Sequence, residues 1–205
     1  MRSRARGVSR GVGRPEPNVE WIGTSQSDSQ QPETAPMQAG GRLSSAPVRP
    51  LKITSPAFDV NGKIPPRFTA DGADISPALA WTNVPRGTQS LALILEDSDA
   101  ASPEPLTHWI MYRIPPAITS IPEGVPTRDA LDDPPNAVHG TNSFRVRGYS
   151  GPEPPRGHGA HHYHFRLYAL NTMIDDAPGL TRSELMKLIR LHVISTAEVV
   201  GTYER

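Results

Sequence analysis

Apolar positions in this chain come in short bursts, each closed by proline, glycine or acidic residues. "LKITSPAF" (51–58), "PALAWTNVP" (77–85), "SLALILEDSD" (90–99), "THWIMYRIP" (107–115) and "HYHFRLYAL" (162–170) are each too short for a typical helix. They are bounded by turn residues, as strands are. "NGKIPPRFTADG" (61–72) is itself rich in turn residues. Short strands separated by Pro/Gly turns predict an all-β sandwich or barrel.

One segment breaks the pattern. In "TRSELMKLIRLHV" (181–193), Leu185, Leu188, Ile189 and His192 fall at i, i+3, i+4 and i+7. Thr181 with Glu184 has the spacing of a capping box, so an amphipathic helix is expected there. A last strand, "AEVVGTYE" (197–204), should follow it. The expected fold is all-β dominated with one helix near the C-terminus.

Residues 1–50 lack these bursts. "MRSRARGVSRGVGRPEPN" is basic and glycine-rich, and "TSQSDSQQPETAPMQAGGRLSSAP" is polar. Too few apolar groups are available to offset the ordering entropy, so a disordered low-complexity tail is expected, with one domain over 51–205. Seven arginines against four acidic residues make the first 50 residues +3. We read this stretch as a solvated extension rather than a nucleic-acid arm or a targeting peptide.

The whole chain has 21 basic and 21 acidic residues, so no global field draws it to nucleic acid or to an anionic surface. Zero cysteines exclude disulfides and thiol nucleophiles. No apolar run is long enough for a membrane span or a signal peptide, and a cytoplasmic location is expected. Twenty-three prolines, about twice the average share of roughly 5%, favour turns over long helices.

Two segments carry candidate chemistry. In "ILEDSDAASPEPLTHW" (94–109) a strand runs into Asp97 and Asp99, and His108 follows nine residues later. Carboxylates so placed can orient an imidazole, hold a cation or share a proton. They can equally cap backbone N–H groups in a turn. In "HHYHFRLYAL" (161–170) alternation puts His161, Tyr163, Phe165, Leu167 and Ala169 on one face, and His162, His164, Arg166 and Tyr168 on the other. The first set is the more apolar, so His161 and Tyr163 should sit at the mouth of the core. Histidines on opposite faces cannot converge on one zinc ion. His161 with His108 and an Asp is the remaining metal arrangement, a weak one, and no metal or cofactor is assigned. "GYSG" (148–151) lacks the G-x-S-x-G elbow of a serine nucleophile.

These motifs resemble the phosphatidylethanolamine-binding protein family, in its bacterial Raf-kinase-inhibitor-like branch. "FTADGADISPALAW" (68–81) is similar to the family's D-G-x-x-x-S-P-x-L-x-W stretch. "LEDSDAASPEPLTHW" (95–109) is similar to its D-P-D-x-P…H signature. "GYSGPEPPRGHGAHHYHF" (148–165) is similar to its G-P-x-P-P-x-G…H-x-Y signature. The resemblance spans 51–205. Three departures stand out: Ser98 replaces a proline and is expected to loosen its loop, Ala70 replaces a frequent cysteine, and Glu153 adds a carboxylate near the expected pocket rim.

The resemblance implies an antiparallel β-sandwich with a small pocket at one end, lined by Asp97, Asp99, His108, His161 and Tyr163. It implies a non-enzymatic module for a phosphate-like or carboxylate ligand, such as a phospholipid head group or a phosphorylated residue. A signalling role, inhibiting a partner kinase or protease, and peripheral lipid contact belong to the same implication. Histidines held by Asp would serve as cationic donors. The alternative is a hydrolase using Asp–His acid/base chemistry in the same pocket.

Overall fold

The computed structural model of the protein describes residues 49–128 and 131–205. The expected tail up to residue 48 therefore lies outside the described residues. In chain order the elements are β1 (Lys52–Thr54), β2 (Gly62–Lys63), β3 (Leu79–Thr82), β4 (Ser90–Asp97), β5 (Leu106–Ile114), β6 (Ser120–Ile121), β7 (Val138–His139), β8 (His161–Leu170), α1 (Arg182–Ile189) and β9 (Val193–Tyr203). A short 3-10 turn covers Pro66–Phe68.

Two sheets form the sandwich. The smaller has the order β1-β3-β6, and the larger has the order β2-β9-β8-β4-β5-β7. All pairings are antiparallel except the short β2–β9 pair. Leu91, Leu93 and Leu95 of β4, Trp109 and Met111 of β5, and Phe165 and Leu167 of β8 face the smaller sheet, where Ile53, Leu79 and Trp81 meet them. Each such fully buried apolar side chain stabilises the fold by about 1.5–3 kcal/mol.

The other face of the large sheet is covered by α1. Ala92, Ile94, Ile110, Tyr112, Tyr168 and Leu170 pack there with Leu185 and Ile189. Because β4 is buried on both faces, its sequence reads as a continuous apolar run without alternation. The capping box at Thr181 is present: Glu184 N–H donates to Thr181 Oγ1, and Glu184 Oε2 accepts from Thr181 N–H at 2.8 Å. The helical face differs from the expected one. Leu188 is exposed, and Met186 packs beside Leu185 and Ile189 instead.

Beyond the edge of α1, the outer face becomes polar. Glu96, almost fully buried, binds Arg166 at 2.5 Å and also Arg182, the first helical residue. Glu198 on β9 accepts from Arg166 Nε at 2.7 Å and from His164 Nδ1 at 2.9 Å. Desolvation in this cluster is matched by charge-assisted bonds, so α1 is tied to the sheet by ion pairs as well as by its apolar stripe.

Candidate functional site

Inner-face positions at the end of β4 and the start of β8 place two titratable groups side by side. Asp97 continues the series Leu91, Leu93, Leu95, and it stands opposite Tyr163. His161 sits two residues before Tyr163 on the same face. Its Nδ1–H donates to Asp97 Oδ2 at 2.8 Å, with both side chains about 4% exposed. Asp97 Oδ1 accepts the backbone N–H of Asp99 at 2.9 Å. One carboxylate thus does both things the sequence left open: it orients an imidazole and caps a turn.

His108 reaches the site through an irregularity. Leu95 pairs with Trp109, but Glu96 pairs with Thr107, which leaves His108 as an extra residue on β5. Simple alternation from Trp109 would have sent His108 to the face occupied by Ile110. The bulge re-aims it inward, where its ring stands edge-on to Tyr163 at 5.3 Å and to Phe144 at 5.1 Å.

The His108 ring is then held by carbonyls. Its Nδ1–H donates to Ser150 O at 2.9 Å and Gly151 O at 3.2 Å, while Nε2 is buried without a hydrogen-bond partner among the described residues. Burial pushes its pKa below the usual 6.5, outweighing the Ser150 carbonyl and the Asp97 charge. Burial therefore works against the cationic donor form expected for this histidine in the ligand-free site. Tyr163 is also fully buried; among the described residues its hydroxyl makes no hydrogen bond of regular geometry, although Asp97 and the Glu153 backbone lie close enough to act on it. Burial, followed by the Asp97 charge, pushes this phenol well up.

Between these groups lies a cavity of about 300 Å³. It is lined by Asp97, His108 and His161, by the loop residues Ala100–Ser102, and by Glu153 with Pro154. Glu153 sits half-exposed at the rim, 3.4 Å from an Arg205 nitrogen. A wider groove of about 510 Å³ runs along Ala78–Ala80 and Ala117–Pro122, with Asp133 its only ionisable lining residue. The smaller cavity has the chemistry.

Asp99 goes elsewhere. Its Oδ2 accepts from both the backbone N–H and the ring Nδ1–H of His162, at 2.7 and 2.8 Å, on the outer face of β8. These contacts hold its pKa low despite partial desolvation. Asp97, His108 and His161 therefore meet at the cavity, Tyr163 backs His108, and Asp99 faces away. His158 lies over His161, ring centroids 6.0 Å apart. Ser98 is itself tied to β8: its N–H donates to His162 O at 3.2 Å, and its hydroxyl bonds His164 Nε2 at 3.0 Å.

Three residues essential to this geometry carried no sequence signal of their own. Asn142 is buried and donates to His108 O at 3.0 Å and to Ser150 Oγ at 2.9 Å, while accepting from Phe144 and Val146 N–H. Asp74 accepts Gly151 N–H at 2.6 Å. Tyr149 donates to Phe68 O at 2.5 Å. The 68–74 segment thus positions the 149–152 loop, whose carbonyls position His108. Among the described residues, no group of three or more His, Cys, Asp or Glu is placed to hold a metal ion. No helix there is long and apolar enough to cross a membrane.

The lowered pKa of His108 has a measurable consequence. In the unfolded chain an imidazole takes up a proton as pH falls through about 6.5, while the folded site resists it. The unfolded state then binds more protons, so stability falls as pH drops from 7 toward 5. His108→Asn keeps a donor for the carbonyls but does not titrate. Its urea midpoint should decline less than the wild type's over that interval, and equal slopes would place the effect at other groups.

The profile of the phosphatidylethanolamine-binding protein family matches residues 54–204. A UPF0098 protein of Pyrococcus horikoshii is 46% identical over 155 residues, covering 76% of this chain and 77% of its own length. One from Methanothermobacter thermautotrophicus is 42% identical, over 76% of this chain and 99% of its own. The crystal structure of Escherichia coli YbcL, described as a member of the mammalian PEBP family, superposes with a TM-score of 0.72 at 30% identity, covering 77% of this chain and 99% of that one. A phosphatidylethanolamine-binding protein homologue from Chlamydia trachomatis gives 0.68 at 35% identity, over 76% and 98%. The profile covers the residues of the sandwich, the relatives and solved structures match a similar share of the chain, and the chain belongs to the phosphatidylethanolamine-binding protein family.

Proposed function

We propose that the domain is a binding module for a small phosphate-like or carboxylate anion, and that the anion enters together with a proton. The observation that carries this reading is the state of the two cavity histidines. Each has its Nδ1–H committed, His161 to Asp97 and His108 to the Ser150 and Gly151 carbonyls. Nε2 is the nitrogen left on each ring. In a neutral imidazole so held, Nε2 is an acceptor, and it becomes a donor only on protonation. Asp97 and Glu153 also line the cavity, so an unprotonated site repels an anion. An anion that binds must therefore favour the protonated rings.

The test is titration with inorganic phosphate and phosphoethanolamine at pH 6 and pH 8, following the imidazole resonances. The expected result is perturbation of His108 and His161 at millimolar ligand, weaker at pH 8, with up to about tenfold lost per pH unit for each proton taken up. Calorimetry in two buffers of different ionisation enthalpy should register that proton. No perturbation at either pH would overturn the reading. Competition by phosphopeptides or by lipid vesicles against phosphate separates a protein partner, such as a kinase or protease, from a head group. Turnover of a phosphate or acyl ester, lost in His161→Ala, would move the assignment to a hydrolase. Among the described residues no hydroxyl is hydrogen-bonded to His108 or His161, which supports the binding reading.

A further inference from the structure

The cavity wall formed by Ala100–Ser102 is weakly tied. Among the described residues, segment 100–104 has one backbone hydrogen bond, from Ser102 N–H to Ala100 O. What precedes it is gripped from both sides of β8. On the inner face His161 holds Asp97. On the outer face His162 holds Asp99 by two bonds to one oxygen. Between them, the Ser98 N–H donates to His162 O and its hydroxyl bonds His164, whose other nitrogen donates to Glu198. The two Asp residues are themselves linked by the Asp99 N–H to Asp97 Oδ1 bond.

We propose that His162 is a positioning residue for the anion cavity, fixing through Asp99 the loop that lines it and the rotamer of Asp97. This rests on the anion-binding reading of that cavity, although the clamp itself can be tested without ligand. His162 and Asp99 side chains are 49% and 42% exposed. An exposed pair of this kind contributes little to global stability. Its effect is local: it replaces an open loop start with one held at three consecutive residues, Asp97, Ser98 and Asp99. Releasing Asp99 leaves its N–H free to leave Asp97 Oδ1, and the carboxylate that orients His161 loses one of its two anchors.

The experiment uses the full chain with His162→Ala, His162→Asn and Asp99→Ala, read in two ways. Amide hydrogen exchange at Asp99–Ser102 reports the clamp directly. Inorganic phosphate titration, read on the His161 resonances, reports its consequence. In His162→Ala the loop amides should exchange about threefold to tenfold faster, and phosphate should bind weaker by a similar factor, the scale of one exposed charge-assisted bond. The Asn side chain places an N–H donor near the position of the ring Nδ1–H. His162→Asn should therefore restore both readings to within about twofold, which a loss of bulk alone would not. In an Asp99→Ala background, His162→Ala should add no further effect. Unchanged loop exchange in His162→Ala, or an Asn variant that behaves like the Ala variant, overturns the proposal. If wild-type protein binds no phosphate while exchange responds as described, the clamp stands and the anion reading falls. If phosphate binds and exchange does not respond, the reverse holds.

Discussion

Asp97→Ala should lower the unfolding free energy by about 2–4 kcal/mol and abolish the ligand response of His161. Asp97 and His161 are almost completely buried and share one 2.8 Å bond. Removing one member of a buried pair commonly costs about 3–5 kcal/mol, because the other charge is left without a partner. Here the penalty is smaller, since an imidazole, unlike a guanidinium, has a neutral form available to it. Two donors still lose their acceptor, the ring Nδ1–H and the backbone N–H of Asp99, and each unmet buried donor costs about 1–3 kcal/mol. Asp99 N–H lies nearer solvent, which keeps the sum below the full double penalty. Urea denaturation supplies the measurement. A loss under about 1 kcal/mol would mean that water replaces the carboxylate without cost.

The second large effect is expected at Gly151→Ala. A Cβ there would lie 2.7 Å from Phe68 O and 2.7 Å from Thr69 Cα, both backbone atoms, and equally close to Asp74 Oδ1. The 149–152 loop cannot retreat without breaking its ties: Tyr149 to Phe68 O, Asp74 to Gly151 N–H, and Ala70 N–H to Pro152 O. Overpacking of this kind costs about 1–3 kcal/mol. The functional signature is more specific than the loss of stability. The Ser150 and Gly151 carbonyls hold His108 Nδ1, so a displaced loop should move the His108 resonances and change its titration. Wild-type stability with unchanged His108 signals would show that the 68–74 backbone yields freely.

Strand β8 shows how far a pattern reaches. Its alternation placed His161, Tyr163, Phe165, Leu167 and Ala169 inward, and every one of them is buried. The ladders to β4 and β9 keep one register from His161 to Ala169, with an irregularity against β9 only after Ala169, so the period of two survives along those residues. The helix was legible in its cap but less so in its face. Thr181 and Glu184 act locally, whereas the choice of Met186 over Leu188 depends on where α1 lies on the sheet. Strands β2, β6 and β7 are two residues each, too short for any period to register.

The candidate site divides along the same line. Local chemistry determined the longer strands, the capping box, and the inward placement of His161 and Tyr163, because these depend on neighbours two to four residues away. Tertiary structure alone decided that a bulge turns His108 inward, that Asp99 reaches across to His162, and that Asn142 and Asp74 hold the walls. Each of these depends on groups 8 to 77 residues apart in sequence, brought together by pairing and closure of the sandwich. A side chain's role there is set by which acceptor the fold places within 3 Å of it, and no periodicity encodes that distance.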